Sequence, residues 1–259
     1  MNLWGIRGDW DARRAVLIEG LRDLRPDLVA FQESIVTADY DQVADLLGPE
    51  VTVAHHSIRE PDGQGISIAS RWPLERVEEL DLQVTPRTAD FACTTLLTQM
   101  DVPDGIGSLL FVNHLPNWQP DFELERELQT VPVARRIAEL VSGREMHVVL
   151  AGDLDAVPDA ATIRFWRGLQ SLDGMSVYYR DVWDVAHGGQ GGETLSDRNA
   201  LRTPKGDRRI DYIFMRSTHE GPTLEIVDAS LAFDEPRDGV WASDHFGVIA
   251  DLEPRPLTE

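Results

Sequence analysis

The chain has 259 residues, of which 42% are hydrophobic and 27% charged, and its formal net charge is −21. This composition is typical of a globular protein, and the absence of any run of about 18 apolar residues argues against a membrane span. The one cysteine, Cys93, excludes an internal disulfide and a multi-cysteine zinc site, and the first residues predict no secretory signal; both observations favour the cytoplasm. The negative charge would repel a polyanion such as long duplex DNA. The net charge therefore disfavours a tight nucleic-acid binder. It does not exclude a nuclease, because metal ions or a local basic cluster can screen the site.

Helix-like and strand-like patterns alternate along the first part of the chain. Asp9 is a suitable N-cap for a helix predicted over 10–24, in which leucines recur on one face. The apolar run 28–31 predicts a buried strand that leads into Glu33, and a second helix is predicted over 37–47.

The middle of the chain carries mostly strand patterns. A helix predicted over 121–141 contains Pro132, which predicts a kink or a division into two helices. The apolar residues that begin at 148 predict a strand buried on both faces. Between the second helix and the helix predicted over 121–141, five short segments bounded by turn residues are predicted to be strands. They cover residues 51–57, 65–70, 76–84, 91–100 and 107–115.

The last third of the chain returns to mixed patterns. A short helix is predicted over 159–167, and the glycine-rich residues 186–208 are interpreted as a long surface loop. Three strands are predicted at 209–215, 223–233 and 246–252. Strands and helices interleave throughout without a linker, which indicates an α/β fold in a single domain, with packed sheets and helices outside.

Several apolar strands end in, or contain, a polar residue that can bind a metal or titrate. In AGDLD, Gly152 permits a close turn, and Asp153 and Asp155 follow at the carboxyl end of a strand, where ligand sites lie in open α/β sheets. Asp211 lies inside an apolar strand, where an acid is costly to bury unless it is paired or bound to a cation. Taken alone, AGDLD is equally typical of an acidic turn after a core strand. Glu33 alone is more typical of a surface acid at a strand end, and His114 alone of a strand-end histidine without a catalytic role. The remaining members are Asn2, Glu33, His114, Asp244 and His245.

Taken together, in this order and at these spacings, the motifs resemble the endonuclease/exonuclease/phosphatase superfamily of metal-dependent phosphodiesterases. The residues that carry the resemblance run from Asn2 through FQES, FVNHL, AGDLD and RIDYIF to SDHFG, and the similar region extends to Leu252. The resemblance implies a four-layer α/β sandwich, in which two mixed β-sheets pack face to face with helices on the outside. It also implies hydrolysis of a phosphoester by an activated water, without a covalent enzyme intermediate.

The resemblance assigns a role to each motif. Glu33 corresponds to the principal metal ligand, assisted by Asn2 and Asp244, and these oxygen ligands suit Mg²⁺ or Mn²⁺. Asp153 corresponds to the residue that orients or deprotonates the attacking water. The phosphate-facing pair is His245 with its carboxylate partner Asp211, and His114 corresponds to a second histidine on the phosphate. Even without the resemblance, so many carboxylates in one cleft would need a cation, and a phosphodiester needs one to neutralise developing charge.

Two positions depart from the family pattern. The family usually has asparagine where this chain has Asp155, and an ionised aspartate cannot donate a hydrogen bond to phosphate. Either Asp155 helps to bind a second cation, or a water or a neighbouring donor replaces that contact. The family's first asparagine usually ends a strand of about five residues, so Asn2 at the second position predicts that the true start lies upstream of Met1.

Residues that recognise the substrate are harder to identify. The densest basic run, which includes Arg202, Lys205 and Arg209, is interpreted as a phosphate-steering loop, with a solvated loop as the equal alternative. Asn117, followed by Trp118, could line the cleft or form an exposed turn, and Tyr179 could border the site.

The substrate itself stays open at this stage. A phosphodiesterase is favoured, with a nuclease on short DNA or RNA and a small-molecule or lipid phosphomonoesterase as alternatives. An inactive binding module would be expected to lack the equivalent of Glu33, Asp153 or His245, and all three are present. A zinc peptidase would need an HExxH motif, which His55, His56 and Glu60 do not form. The protein is expected to be a monomer.

Overall fold

The computed structural model describes residues 1–255. Within them the helices are α1 (Trp10–Leu24), α2 (Gln42–Leu47), α3 (Glu123–Val141), α4 (Ala161–Trp166) and α5 (Val182–His187). The strands of the first half are β1 (Leu28–Ile35), β2 (Thr52–His55), β3 (Gln64–Ser70), β4 (Arg76–Asp81), β5 (Thr94–Val102) and β6 (Gly107–Leu115). Those of the second half are β7 (His147–Asp153), β8 (Tyr179–Asp181), β9 (Asp211–Thr218), β10 (Gly221–Pro222), β11 (Glu225–Ala232) and β12 (Gly247–Glu253).

The strands form one large sheet and two smaller groups. The large sheet has the order β10-β9-β7-β6-β5-β4, with β8 paired to β9, and the smaller groups are β1-β3-β2 and β11-β12. Strands β6 and β7 run parallel, whereas their other neighbours in the sheet are antiparallel, so the large sheet is mixed.

Three apolar clusters separate four layers. Between the sheets, Ile66 and Ile68 of β3 belong to one cluster with Phe111 of β6 and Val149 of β7. A second cluster joins the outer face of the large sheet to α3 and α4, and a third joins β1 and β3 to α1 and α2. The predicted sandwich of two sheets with helices outside is therefore confirmed.

Strand β7 shows why its sequence is continuously apolar. Val148 and Leu150 face the helices α3 and α4, whereas Val149 and Ala151 face the opposite sheet. Because successive side chains alternate between the two faces of a strand, a strand covered on both sides needs apolar residues at every position.

Two helix predictions need correction. The second helix begins at Gln42 rather than at 37, because residues 37–40 form a turn and the Asp41 side chain caps the helix by accepting from Val43 and Ala44 N–H. Pro132 lies within the single helix α3, so the predicted division into two helices is wrong, and the alternative of a kink stays a prediction.

Two short elements and part of a loop also differ from the predictions. Strand β8 and helix α5 were not predicted, and the segment 186–208 is not wholly at the surface, since Thr194 and Asn199 in it are buried.

The start of the chain lies beside β1. Asn2 forms one parallel bridge with Gln32, and a cavity of about 570 Å³ lies between residues 25–30 and the strand β12. The predicted upstream strand concerns residues outside the printed sequence and stays a prediction. Within residues 1–255, no helix combines the length and the apolar character needed to cross a membrane.

Candidate active site

The centre of the site is formed where β7 ends and β9 begins. Asp153 and Asp211 lie opposite each other in the register of these antiparallel strands, and the segment before β12 brings His245 to both. His245 Nδ1 lies 3.0 Å from Asp211 Oδ2 and 3.8 Å from Asp153 Oδ2. All three side chains are buried, so their charges act on one another with little screening by water.

These neighbours decide the charge of His245. Burial by itself would lower the pKa of the imidazole, but the charges of Asp211 and Asp153 and the hydrogen bond to Asp211 outweigh burial and raise the pKa well above its usual value. His245 is therefore a cation at neutral pH. Because Nδ1 is committed to Asp211, Nε2 is the nitrogen left to face a substrate.

Asn2 links this centre to Glu33. Its side-chain amide donates to Glu33 Oε1 and to Asp153 Oδ2, both at 3.0 Å, while its Oδ1 accepts from the Trp4 backbone N–H. Glu33 occupies a left-handed conformation, φ 54°, at a shift in the pairing register of β1 with β3. A bulge redirects side chains, and here it accompanies a carboxylate placed beside the centre. The other oxygen, Oε2, accepts from Arg7 Nη1 at 2.7 Å.

The remaining carboxylates add further negative charge. Burial raises the pKa of Asp153, with further contributions from Asp155 and Asp211, and burial also raises the pKa of Asp244. Burial is likewise the main cause that raises the pKa of Asp155 to about 6. Acids whose pKa values are raised in this way are stabilised in their ionised form by a cation.

His114 lies on β6 next to the GD motif. A Cβ at Gly152 would stand 2.0 Å from the His114 carbonyl oxygen, so glycine is required for this close approach of β6 and β7. The His114 ring is buried, its Nδ1 lies 2.7 Å from Thr95 Oγ1, and its Nε2 has no hydrogen-bond partner among the described residues. Burial lowers its pKa to about 3, so the ring is neutral.

Three predicted substrate-binding residues are committed to internal contacts. Asn117 is buried and hydrogen-bonded to Gln129, and Tyr179 packs edge-on against the ring of Trp166 in the core. Arg209 is buried and donates to Asp181 at 2.5 Å. Their role as substrate contacts stays a prediction, and the structure places all three in internal contacts.

The other two members of the basic loop differ from each other. The side chain of Arg202 is 7% exposed and lies 3.9 Å from a carboxylate oxygen of Asp197, whereas Lys205 is exposed. Much of the positive charge of the predicted steering loop is therefore balanced by nearby acids, and Arg209 carries a second ion pair with Asp184.

Two arginines near the site were not identified from the sequence. Arg7 pairs with Glu33 from a turn whose sequence carries no periodic signal, and with the exposed Trp118 it lines a cavity of about 500 Å³. Arg13 was detectable, since it lies on the same face of α1 as the apolar Leu17 and Leu21. A charged residue within an apolar stripe indicates a buried polar contact.

Comparison with known proteins identifies the family. The model of the Endonuclease/Exonuclease/phosphatase family matches residues 1–245. The chain belongs to this family. No curated protein matches the chain.

Several solved structures are similar to this chain in fold. TDP2 from D. rerio complexed with single strand DNA product has a TM-score of 0.75 at 22% identity, covering 94% of this chain and 92% of that one. The human Nocturnin catalytic domain with bound sulfate anion has a TM-score of 0.69 at 15% identity and covers 96% and 89%. The endonuclease/exonuclease/phosphatase from Bacteroides vulgatus has a TM-score of 0.72 at 18% identity and covers 97% of each chain. The family and the fold predicted from the sequence are confirmed.

The residues present fit a divalent cation. The carboxylates of Asp153 and Asp211 and the His245 ring approach within 4.8 Å of one another, and the Asn2 amide joins Glu33 to this acidic cluster. Asp211 Oδ1 is buried and has no hydrogen-bond partner among residues 1–255, as is expected of an oxygen that an additional group would satisfy. Carboxylate and amide oxygens are the ligands that Mg²⁺ and Mn²⁺ prefer.

The metal-free protein should carry a pH-dependent penalty at Asp155. Its folded pKa of about 6 lies above its unfolded value, so the stability contributed below the unfolded pKa is lost as the pH rises through 6. In chelator, Asp155→Asn should therefore be more stable than the wild type near pH 8, by about 3 kcal/mol, and the gain should shrink near pH 5. Urea unfolding at both pH values measures the difference. A gain in stability that is the same at pH 5 and pH 8 would contradict the raised pKa of Asp155.

Proposed function

We propose that this protein is a divalent-metal-dependent phosphodiesterase in which Asp153 prepares the attacking water. The observation that supports this most strongly is the Asn2 amide, which joins Glu33 on one side to Asp153 on the other. Asp153 in turn lies 3.8 Å from His245. The proposed metal ligand Glu33, the base Asp153 and the phosphate-facing cation His245 are therefore close together.

The proposed metal ligands are Glu33, Asn2 and Asp244. Bound Mg²⁺ or Mn²⁺ would neutralise charge on a phosphoryl oxygen and lower the pKa of a bound water. We favour this oxygen set over one containing His245, because His245 Nδ1 already contacts Asp211 and the imidazolium has no free lone pair for a metal.

The other residues act on the water and on the phosphate. Asp153, with its raised pKa, is a better proton acceptor than an ordinary carboxylate and is held by the Asn2 amide. The His245 cation, oriented by Asp211, stabilises the negative charge that builds up on the phosphate. Neutral His114 supplies a second contact, and Asp155 helps to hold a second cation or leaves its contact to a water.

We infer a phosphodiester as the substrate class. A nuclease acting on short DNA or RNA is the second candidate, because the D. rerio TDP2 structure of similar fold is complexed with single strand DNA product. The exposed Trp118 beside Glu33 offers a flat surface on which a base could stack. The net charge of −21 disfavours long polyanions, and a phosphomonoester is the remaining alternative.

Other expectations from the sequence accompany this proposal. An inactive binding module is disfavoured because Glu33, Asp153 and His245 are all in place. The cytoplasmic location, the single domain and the monomeric state stay predictions.

The two aspartates of the GDLD motif should respond differently to amidation. Asp153→Asn removes the proton acceptor and should lower kcat by about 100-fold. Asp155→Asn restores the family's usual residue and should retain more than about a tenth of the activity, because no proton transfer depends on it. Steady-state hydrolysis of a diester at saturating Mn²⁺ measures both. Equal losses would show that the two carboxylates share one role.

A further inference from the structure

Arg13 is an unusual residue for the interior of a protein. It lies on α1 with 1% of its surface exposed, between the rings of Trp4 and Trp10 at 5.0 and 5.4 Å from their centroids. Buried arginines usually face carboxylates. This guanidinium instead donates to four backbone carbonyls, those of Leu3, Gly5, Arg7 and Ala242.

The four carbonyls belong to two segments that carry proposed metal ligands. Three lie in the turn after Asn2, and the fourth directly precedes the segment 243–245. The Arg13 Nε–Ala242 O distance is 3.0 Å, and a second bond, from Ser243 Oγ to the Asn2 carbonyl at 2.9 Å, joins the same two segments. Residues from opposite ends of the chain are thus held together at one point.

The turn that Arg13 holds is not one the chain would adopt readily by itself. Trp4 and Gly5 are both in the left-handed conformation, with φ of 57° and 51°. A bulky residue in this conformation persists only where surrounding contacts impose it. The guanidinium provides such contacts, because its planar fork can satisfy several carbonyls in fixed directions at once.

The positive charge of Arg13 also supports the proposed metal site. Burial lowers the pKa of Arg13 to about 10, and the charges of Asp244 and Glu33 act in the opposite direction. Arg13 is therefore a cation at neutral pH and reduces the repulsion between the carboxylates that the metal site requires.

We propose that Arg13 is a positioning residue that sets the relative placement of Asn2 and Asp244 and thereby the metal affinity of the site. This inference rests on the proposed function, since it takes Asn2 and Asp244 as metal ligands. Lysine would keep the charge but lose the fork, so Arg13→Lys should weaken Mn²⁺ binding by about tenfold, as removal of an orienting partner of a ligand does.

The test is Mn²⁺ binding to the full chain, followed by electron paramagnetic resonance of the free ion and compared with thermal unfolding. Leu17→Ala is the matched control, because Leu17 is fully buried on the same face of α1 but contacts neither segment through hydrogen bonds. We expect Leu17→Ala to lower the melting temperature and leave Mn²⁺ affinity unchanged, whereas Arg13→Lys weakens Mn²⁺ binding beyond any loss of stability. Should Arg13→Lys fail to fold, Ser243→Ala removes the second bond between the segments, together with the longer contacts of Ser243 Oγ to Asp244 Oδ1 and to the His245 N–H, and should weaken Mn²⁺ binding by about threefold.

The outcomes separate the two proposals. A wild type that binds Mn²⁺ and cleaves a phosphoester, with Arg13→Lys indistinguishable from Leu17→Ala or Ser243→Ala unchanged, overturns the role of Arg13 alone. A folded wild type that neither binds Mn²⁺ nor cleaves any phosphoester overturns the proposed function and, with it, this inference.

Discussion

His245→Gln should lower kcat for a phosphodiester by about 10³-fold, which corresponds to about 4 kcal/mol of transition-state stabilisation. Glutamine can still hydrogen-bond to Asp211, so the loss isolates the positive charge that Asp211 and Asp153 maintain on the imidazole. Because His245 is not a proposed metal ligand, the Mn²⁺ concentration that gives half-maximal activity should change little. Steady-state kinetics across a Mn²⁺ titration measures both quantities.

His56→Gln is the control for the loss of a buried histidine. His56 is 1% exposed and its Nε2 lies 3.2 Å from the Leu80 carbonyl, outside the cluster of acids. Its replacement should reduce stability but leave kcat close to that of the wild type. A His245→Gln enzyme with more than about a tenth of wild-type kcat would show that no phosphate-facing cation is needed.

Glu33→Gln should lower kcat/KM by about 10³-fold at low millimolar Mg²⁺, because a metal contributes several kcal/mol to the neutralisation of phosphoryl charge. The amide keeps the size of the side chain and removes its charge. Part of the activity should return at high Mn²⁺, since the other proposed ligands, Asn2 and Asp244, are unchanged. A metal titration of kcat/KM, with Mn²⁺ binding measured separately, distinguishes weakened binding from a defect in chemistry.

Glu125→Gln serves as the matched control. Its carboxylate is 3% exposed and pairs with Arg87, so it tests the loss of a buried acid that has no proposed metal role. Metal dependence should be unchanged in this variant. If Glu33→Gln showed the metal dependence of the wild type, Glu33 would not be a ligand and the proposed metal site would be wrong.

Much of the fold could be predicted because local signals and packing agree. Helix α1 occupies the predicted residues 10–24, with Asp9 accepting from Ala12 N–H as its cap. Strand β7 was detectable from its continuous apolar run, because both faces of the strand are covered by neighbouring layers. Short elements escaped prediction. Helix α5 has six residues, too few for a helical period to stand out, and its start is marked only by the Asp181 cap.

The candidate site could be predicted in part, for a physical reason. Asp153 and Asp211 end or begin apolar strands, so the sheet register alone brings them together. The substrate-binding residues were predicted from their charge or residue type. Neither property shows which partner a side chain contacts in the folded protein. The sequence places Arg209 in a basic run, but its counter-charges Asp181 and Asp184 lie more than 20 residues away in sequence and beside it in space.

The measurement that tests the proposed chemistry most directly is hydrolysis of bis-p-nitrophenyl phosphate compared with p-nitrophenyl phosphate. Each is assayed with Mg²⁺, with Mn²⁺ and with chelator, alongside Glu33→Ala and His245→Ala. We expect metal-dependent cleavage of the diester in preference to the monoester, abolished by chelator and by both substitutions. Turnover that persists in chelator, or no turnover with either metal in a folded protein, would contradict a metal-dependent phosphodiesterase.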